Sequence, residues 1–157
     1  MKTVLIFAAL FLCLLAGCRT HPPAEPSNPG PAFEASDDFK IEAAVYGYML
    51  EKYSWDSGAY GAIYLEAEDN RAAALIRKIP KHSLPLKPIS KAERRPNQAP
   101  IDRGTGKPGV ILNAKAVDPT NGVSEAVGTW YAGEGRAGLY AFVLVEMDRV
   151  WTIQSVK

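Results

Sequence analysis

The alternation of apolar and polar positions divides the chain into segments of different period. Residues 4–16, VLIFAALFLCLLA, are continuously apolar, a run shorter than the ~20 residues a helix needs to cross a bilayer. Residues 19–37 carry five prolines and few apolar side chains, too few to bury a core. Over residues 38–53, Ile41, Ala44, Val45, Tyr48, Met49 and Lys52 recur at helical spacing, which predicts a helix with one apolar face. Ser36, Asp37 and Asp38 supply capping oxygens and negative charge at its start. Trp55 to Gly58 read as a turn, and Gly47 as a point of close approach to a sheet.

Residues 59–67 switch to a period of two. Ala59, Gly61, Ile63, Leu65 and Ala67 share one face and Tyr60, Ala62, Tyr64 and Glu66 the other, as in a strand. Asp69 is placed to cap a short helix over residues 70–79, which Pro80 ends. Residues 80–108 hold six prolines. There LPLKPIS suits an extended edge segment, and residues 91–108 read as a long exposed loop. Strands are then expected over 110–117, 124–132, 138–146 and 150–156, with short connections that make neighbours antiparallel. A helix followed by such a meander is an α+β pattern.

Three units follow: a leader at 1–17, a tether at 18–37 and a single domain at 38–157. The leader has a positive start, a short apolar core and small residues at its end, the marks of a secretory signal. It closes on Leu15-Ala16-Gly17-Cys18, which resembles the lipobox of bacterial lipoproteins. That resemblance implies cleavage between Gly17 and Cys18, lipidation of Cys18, and a membrane as partner through the lipid. The residue after Cys18 is Arg19 rather than Asp, which by the same analogy directs the protein to the outer membrane, facing the periplasm. Proline-rich chain spans about 3.1 Å per residue, so the tether reaches on the order of 50 Å. Cys13 leaves with the leader and Cys18 takes lipid, so the mature domain has no thiol chemistry.

The chain carries 18 basic and 17 acidic residues. Near neutrality argues against nucleic acid as a partner. The charge is unevenly placed, with nine acidic residues against two basic from Glu34 to Asp69, and nine basic against two acidic from Arg77 to Lys107. Either the two stretches neutralise each other in the fold, or the basic one faces an anionic surface or an envelope protein. Oligomeric state is left open.

The pattern as a whole resembles the NTF2-like (cystatin-like) superfamily, whose D-x-x-W-x-I-type last strand is similar to Asp148 to Ile153. KPIS (87–90), DRGTGKPG (102–109) and GTWYAGEGRAG (128–138) are similar to segments of small uncharacterised secreted bacterial proteins. The resemblance implies one long N-terminal helix packed on a curved antiparallel sheet. It also implies a concave pocket between the two. The last hairpin departs from the pattern, with Met147-Asp148-Arg149 where glycine is usual.

Chemistry is sparsely signalled. GTGKPG and GEGRAG match G-x-G-x-x-G, but neither follows a strand and opens a helix, as a dinucleotide site requires. Both read as turns using positive φ. His82 beside Ser83 makes no triad. One histidine in the domain gives no zinc set, and Glu66, Glu68 and Asp69 read as a solvated strand end. No catalytic residue, metal or cofactor is expected. Enzymes of the superfamily usually place an Asp/His pair in the cavity, and no histidine falls in the clear helix or strands. Binding remains. Trp130, Tyr131 and Tyr140 lie on adjacent predicted strands, with Trp130 and Tyr131 on opposite faces. Aromatic walls suit a small apolar or glycan ligand. Arg94 and Arg95 in the loop suit phosphate or a carboxylate-rich partner. The expected function is that of a lipid-anchored, non-catalytic envelope protein with a binding or accessory role. The alternatives are a small-molecule or glycan binder and a pocket enzyme.

Overall fold

A computed structural model of the chain describes residues 36–157. The leader, Cys18 and the tether up to residue 35 lie outside the described residues. Helix α1 spans Asp37–Lys52. Its N-cap is Ser36, whose hydroxyl accepts the Phe39 N–H, with Asp37 and Asp38 in the first turn. Ser36 and Asp37, read as the end of the tether, thus belong to the folded domain. The buried face is Phe39, Ile41, Val45, Tyr46, Met49 and Leu50. Lys52, at an expected core position, is exposed. Gly47 meets Pro80 rather than the sheet.

Eight short or long strands follow. They are β1 Ile63–Leu65, β2 Leu86–Pro88, β3 Ala92–Glu93, β4 Ile101–Asp102, β5 Val110–Ala116, β6 Val123–Tyr131, β7 Ala137–Met147 and β8 Val150–Val156. A second helix, α2 Asp69–Lys78, joins β1 to β2. Its N-cap is Glu68 and makes no side-chain cap bond. Asp69 is therefore a first-turn residue that favours the helix through its charge, not through a capping hydrogen bond.

Six strands form one open sheet in the order β2-β1-β5-β6-β7-β8, and β3 pairs with β4 apart from it. The expectation of an all-antiparallel sheet is corrected here. β1 runs parallel to both β2 and β5, while β5 to β8 form the antiparallel meander. The physical reason is that the connections cross over: α2 returns the chain from β1 to the same end of the sheet for β2, and residues 89–109 do so between β2 and β5, so these strands lie parallel. The architecture is a mixed α+β fold with two helices among the described residues.

The segment read as one long exposed loop, residues 91–108, is exposed at most of its positions but is anchored at three of them. Ala92, Pro100 and Asp102 are buried, and β3 and β4 fold it over the β1–β5 end of the sheet. The two sides of β1 divide as the alternation predicts. Ile63 and Leu65 join the main core, while Ala62 and Tyr64 join a second cluster with Ala92 and Ile111.

Helix α1 crosses β5, β6 and β8. It comes close because Gly128 has no side chain: a Cβ there would stand 2.7 Å from Phe142 and 3.0 Å from both Met49 and Val45. Trp151, the tryptophan of the last strand, is buried and its indole N–H donates to Asp37 at 3.2 Å. That bond ties the final strand to the first helical turn. β1 is too short to pair with all of β5, and the Ala114 N–H beyond its end donates instead to the Tyr46 hydroxyl at 3.2 Å. The β7–β8 turn holds both Asp148 and Arg149 at positive φ, 51° and 66°, the primed geometry that suits a two-residue hairpin.

Candidate functional site

The residues proposed from sequence fall on opposite faces of the sheet. Trp130 and Tyr140 lie on the helix face. Tyr131, Arg94 and Arg95 meet on the outer face.

On the helix face the aromatics pack around Tyr53, just past the end of α1. Its ring centre lies 5.4 Å from that of Trp55 and 5.8 Å from those of Trp130 and Tyr140. Gly138, opposite Trp130 across β6 and β7, leaves the space that the indole occupies; a Cβ there would run into the indole nitrogen. The Tyr53 hydroxyl is pushed up to about 12, first by burial and then by Tyr140 beside it. The Trp130 indole N–H pulls the other way, although it lies outside hydrogen-bond geometry to any acceptor among the described residues. Trp130 and Tyr140 each contact the Tyr53 ring and stay half-buried on this face.

On the outer face a groove of about 300 Å³ opens beside β5 and β6. Ile111, Pro100 and Tyr131 give it an apolar side, and Arg94, Arg95, Asn97 and Gln98 a polar one. Ile111 and Tyr131 are directly opposed in the β5–β6 register, which fixes the floor. Arg94 donates to Glu66 at 3.1 Å, and the other oxygen of Glu66 accepts from Asn113 at 3.1 Å. Glu66 is thus an anchor for the groove wall. Arg95 donates twice to Glu93, at 2.9 and 2.7 Å. Both pairs are exposed, and such pairs stabilise by only about 0–1 kcal/mol. Each guanidinium group is thus held by a carboxylate at the groove wall.

Two sequence motifs noted for their resemblance meet in a third place. Lys87 of KPIS and Tyr64 are cross-strand neighbours, and Asp102 of DRGTGKPG caps both. Asp102 Oδ1 accepts from Lys87 at 2.7 Å and from Tyr64 at 3.0 Å, while Oδ2 accepts from Thr105 at 2.9 Å. Its carboxyl is lowered to about 2, chiefly by the Lys87 hydrogen bond, against the opposing effect of burial. Burial, then the Asp102 acceptor, raises the Tyr64 hydroxyl. The cluster locks residues 101–109 over the edge of the sheet. Sequence reasoning missed it because its members are distant in the chain. Their signal was three polar groups inside otherwise apolar or turn-rich segments.

His82 accepts the Leu84 N–H on Nδ1 at 3.0 Å, and burial lowers its pKa. Its ring centre lies 6.2 Å from that of Trp55, so its role is to shape the local turn. Gly106, Gly133 and Gly135 have positive φ, in keeping with turns at the two glycine motifs. Among the described residues no group of three or more His, Cys, Asp or Glu side chains is placed to hold a metal ion. None of the described helices is long and apolar enough to cross a membrane. Compared with protein-family models, curated proteins and solved structures, the chain matches none.

Proposed function

We propose that this is a lipid-anchored protein of the bacterial envelope whose domain acts by binding, without catalysis. Cys18 carries the lipid, and the tether holds the domain off the membrane, most simply the outer membrane on its periplasmic side. The domain belongs in this reading with NTF2-like (cystatin-like) folds, supported by the helix laid across an antiparallel meander. The parallel pairing of β1 is a local addition to that plan.

The observation that carries the binding reading is the groove at Arg94, Arg95 and Tyr131. Each arginine is paired with a glutamate, so the two guanidinium charges are matched one for one. What the groove presents is planar donors and acceptors beside an aromatic ring. That chemistry favours a neutral, hydroxyl-rich ligand such as a glycan over a bare phosphate. The test uses β-1,4-linked N-acetylglucosamine oligomers as probe, followed by amide shifts in ¹⁵N spectra. Shifts confined to residues 93–98, 111 and 131, lost in Tyr131→Ala and in the Arg94→Ala/Arg95→Ala double variant, support the reading. Absence of shifts at millimolar probe overturns it. The anchor is tested separately: full-length Cys18→Ser protein that still fractionates with membranes removes the lipid attachment.

A further inference from the structure

Strand β7 is apolar on both sides. Tyr140, Phe142 and Leu144 face α1 and the core. Leu139, Ala141, Val143, Val145 and Met147 alternate with them and face outward. An antiparallel strand with one solvated face alternates apolar with polar residues, whereas a run apolar on both sides belongs to a strand covered on both sides. In the described chain nothing covers the outer one. Leu139 is 70% exposed, Val150 61% and Met147 57%. The pairing registers put Val123 and Val127 on the same surface, and Val117, opposite Glu125, beside them. Single exposed aliphatics need no explanation, but a contiguous patch marks a contact surface.

We propose that this face packs against the same face of a second copy of the chain. Two observations favour that occupant. The first is charge. Within the patch Lys115 and Glu125 stand on adjacent strands and form no ion pair among the described residues, while a second cation, Lys157, lies at the β8 margin opposite Ala141, beside the terminal carboxylate. A two-fold axis makes every contact occur twice. An axis running across the strands, between the Lys115–Val127 row and the Val117–Glu125 row, sets Lys115 beside Glu125 of the partner subunit. The same axis lays Leu139 over the partner's Val145, and Ala141 over the partner's Val143. The second is size. Four strands about 4.8 Å apart and about 30 Å long give a flat footprint of roughly 500–600 Å². Side-chain relief brings this within reach of the ~800 Å² per partner of a stable interface. A lipid surface fits less well, because the patch is aliphatic rather than aromatic and hydrocarbon would strip water from an unpaired Glu125. The same axis brings Met147 over the partner's Ala137, the cross-strand neighbour of Tyr131, so the contact borders the groove floor while Arg94 and Arg95 lie beyond it, and the inference does not rest on the ligand reading.

The test is sedimentation velocity on the full chain carrying Cys18→Ser, so that shared micelles do not hold copies together. A concentration-dependent dimer is expected. Leu139→Lys is expected to weaken it at least 100-fold with an unchanged circular dichroism spectrum. Lys115→Glu and Glu125→Lys are each expected to weaken it about 10-fold, and the two together to restore it. Rescue by the double reversal separates a two-fold contact from general stickiness. A monomer at 100 μM overturns the proposal, as does a dimer indifferent to Leu139→Lys. Monomeric protein that co-sediments with phosphatidylcholine vesicles, and loses this with Leu139→Lys, assigns the face to lipid and overturns it as well.

Discussion

The two faces of the meander are made by the same strands and both carry large apolar side chains, yet they behave differently. On the helix face Phe142, Leu144 and Trp151 are almost wholly buried under α1, with Gly128 opening the space for the helix. On the outer face Leu139, Met147 and Val150 stand in solvent. At the β1–β5 end the outer face is covered too, by the segment carrying β3 and β4, and there Tyr64 and Ile111 are buried. Burial in this domain thus follows where α1 and the 89–109 segment lie, and the hydrophobicity of a strand residue does not decide it alone. Residues equally apolar in sequence are therefore expected to differ by several kcal/mol in what their removal costs.

That contrast is most sharply drawn by truncating one residue on each face. Phe142→Ala removes a buried ring in contact with Tyr48 and Tyr140 and is expected to cost about 3–5 kcal/mol. Leu139→Ala, measured by urea unfolding at concentrations that keep chains apart, is expected to stay within about 0.5 kcal/mol. Equal losses would dissolve the distinction between the faces.

The covered end of the outer face is broken at Asp102. Asp102→Ala strands Lys87 and the Tyr64 hydroxyl, and is expected to cost about 2–3 kcal/mol, with Lys87 keeping partial access to water. The pH dependence sharpens the point. The folded Asp102 carboxyl sits near 2, below its ordinary 3.8. The unfolded chain therefore binds the proton more readily, and the cluster's contribution is fully present above about pH 4. It is lost as pH falls toward 2, an effect of about 2 kcal/mol. Acid unfolding followed by circular dichroism is expected to lose this component in Asp102→Asn.

The smallest effect is at His82, under the helix face. Burial holds its folded pKa below the ordinary 6.5, so the neutral ring is favoured. Its contribution is present above about pH 6.5 and falls as the solution is acidified. An NMR titration with a midpoint at or above the ordinary value would contradict this.

Much of the fold is legible in local pattern. The limits of α1 and of β5 to β8 follow from the period of apolar residues, and Ser36 and the Asp residues after it mark the start of α1. Trp130 and Tyr131 could be assigned to opposite faces from alternation alone. The candidate site was less legible. Arg94, Arg95 and Tyr131 could each be named, but their meeting depends on residues 91–108 folding back over β5, and that segment has no period to read. The lock at Asp102 was hidden for the same reason: Tyr64, Lys87 and Asp102 come from three segments of different character.

By itself the sequence determined the leader-like start with its Cys18 signal as an expectation, the α+β content, and which residues of each strand point the same way. These are local properties, fixed by side-chain period and by the conformational limits of glycine, proline and capping residues. Only the tertiary structure decided that β1 lies parallel between β2 and β5, that Asp102 draws Lys87 and Tyr64 together, and that one apolar face is covered while its opposite is not. Those outcomes depend on contacts between distant segments, where the loss of chain entropy is offset only once the whole sheet is assembled.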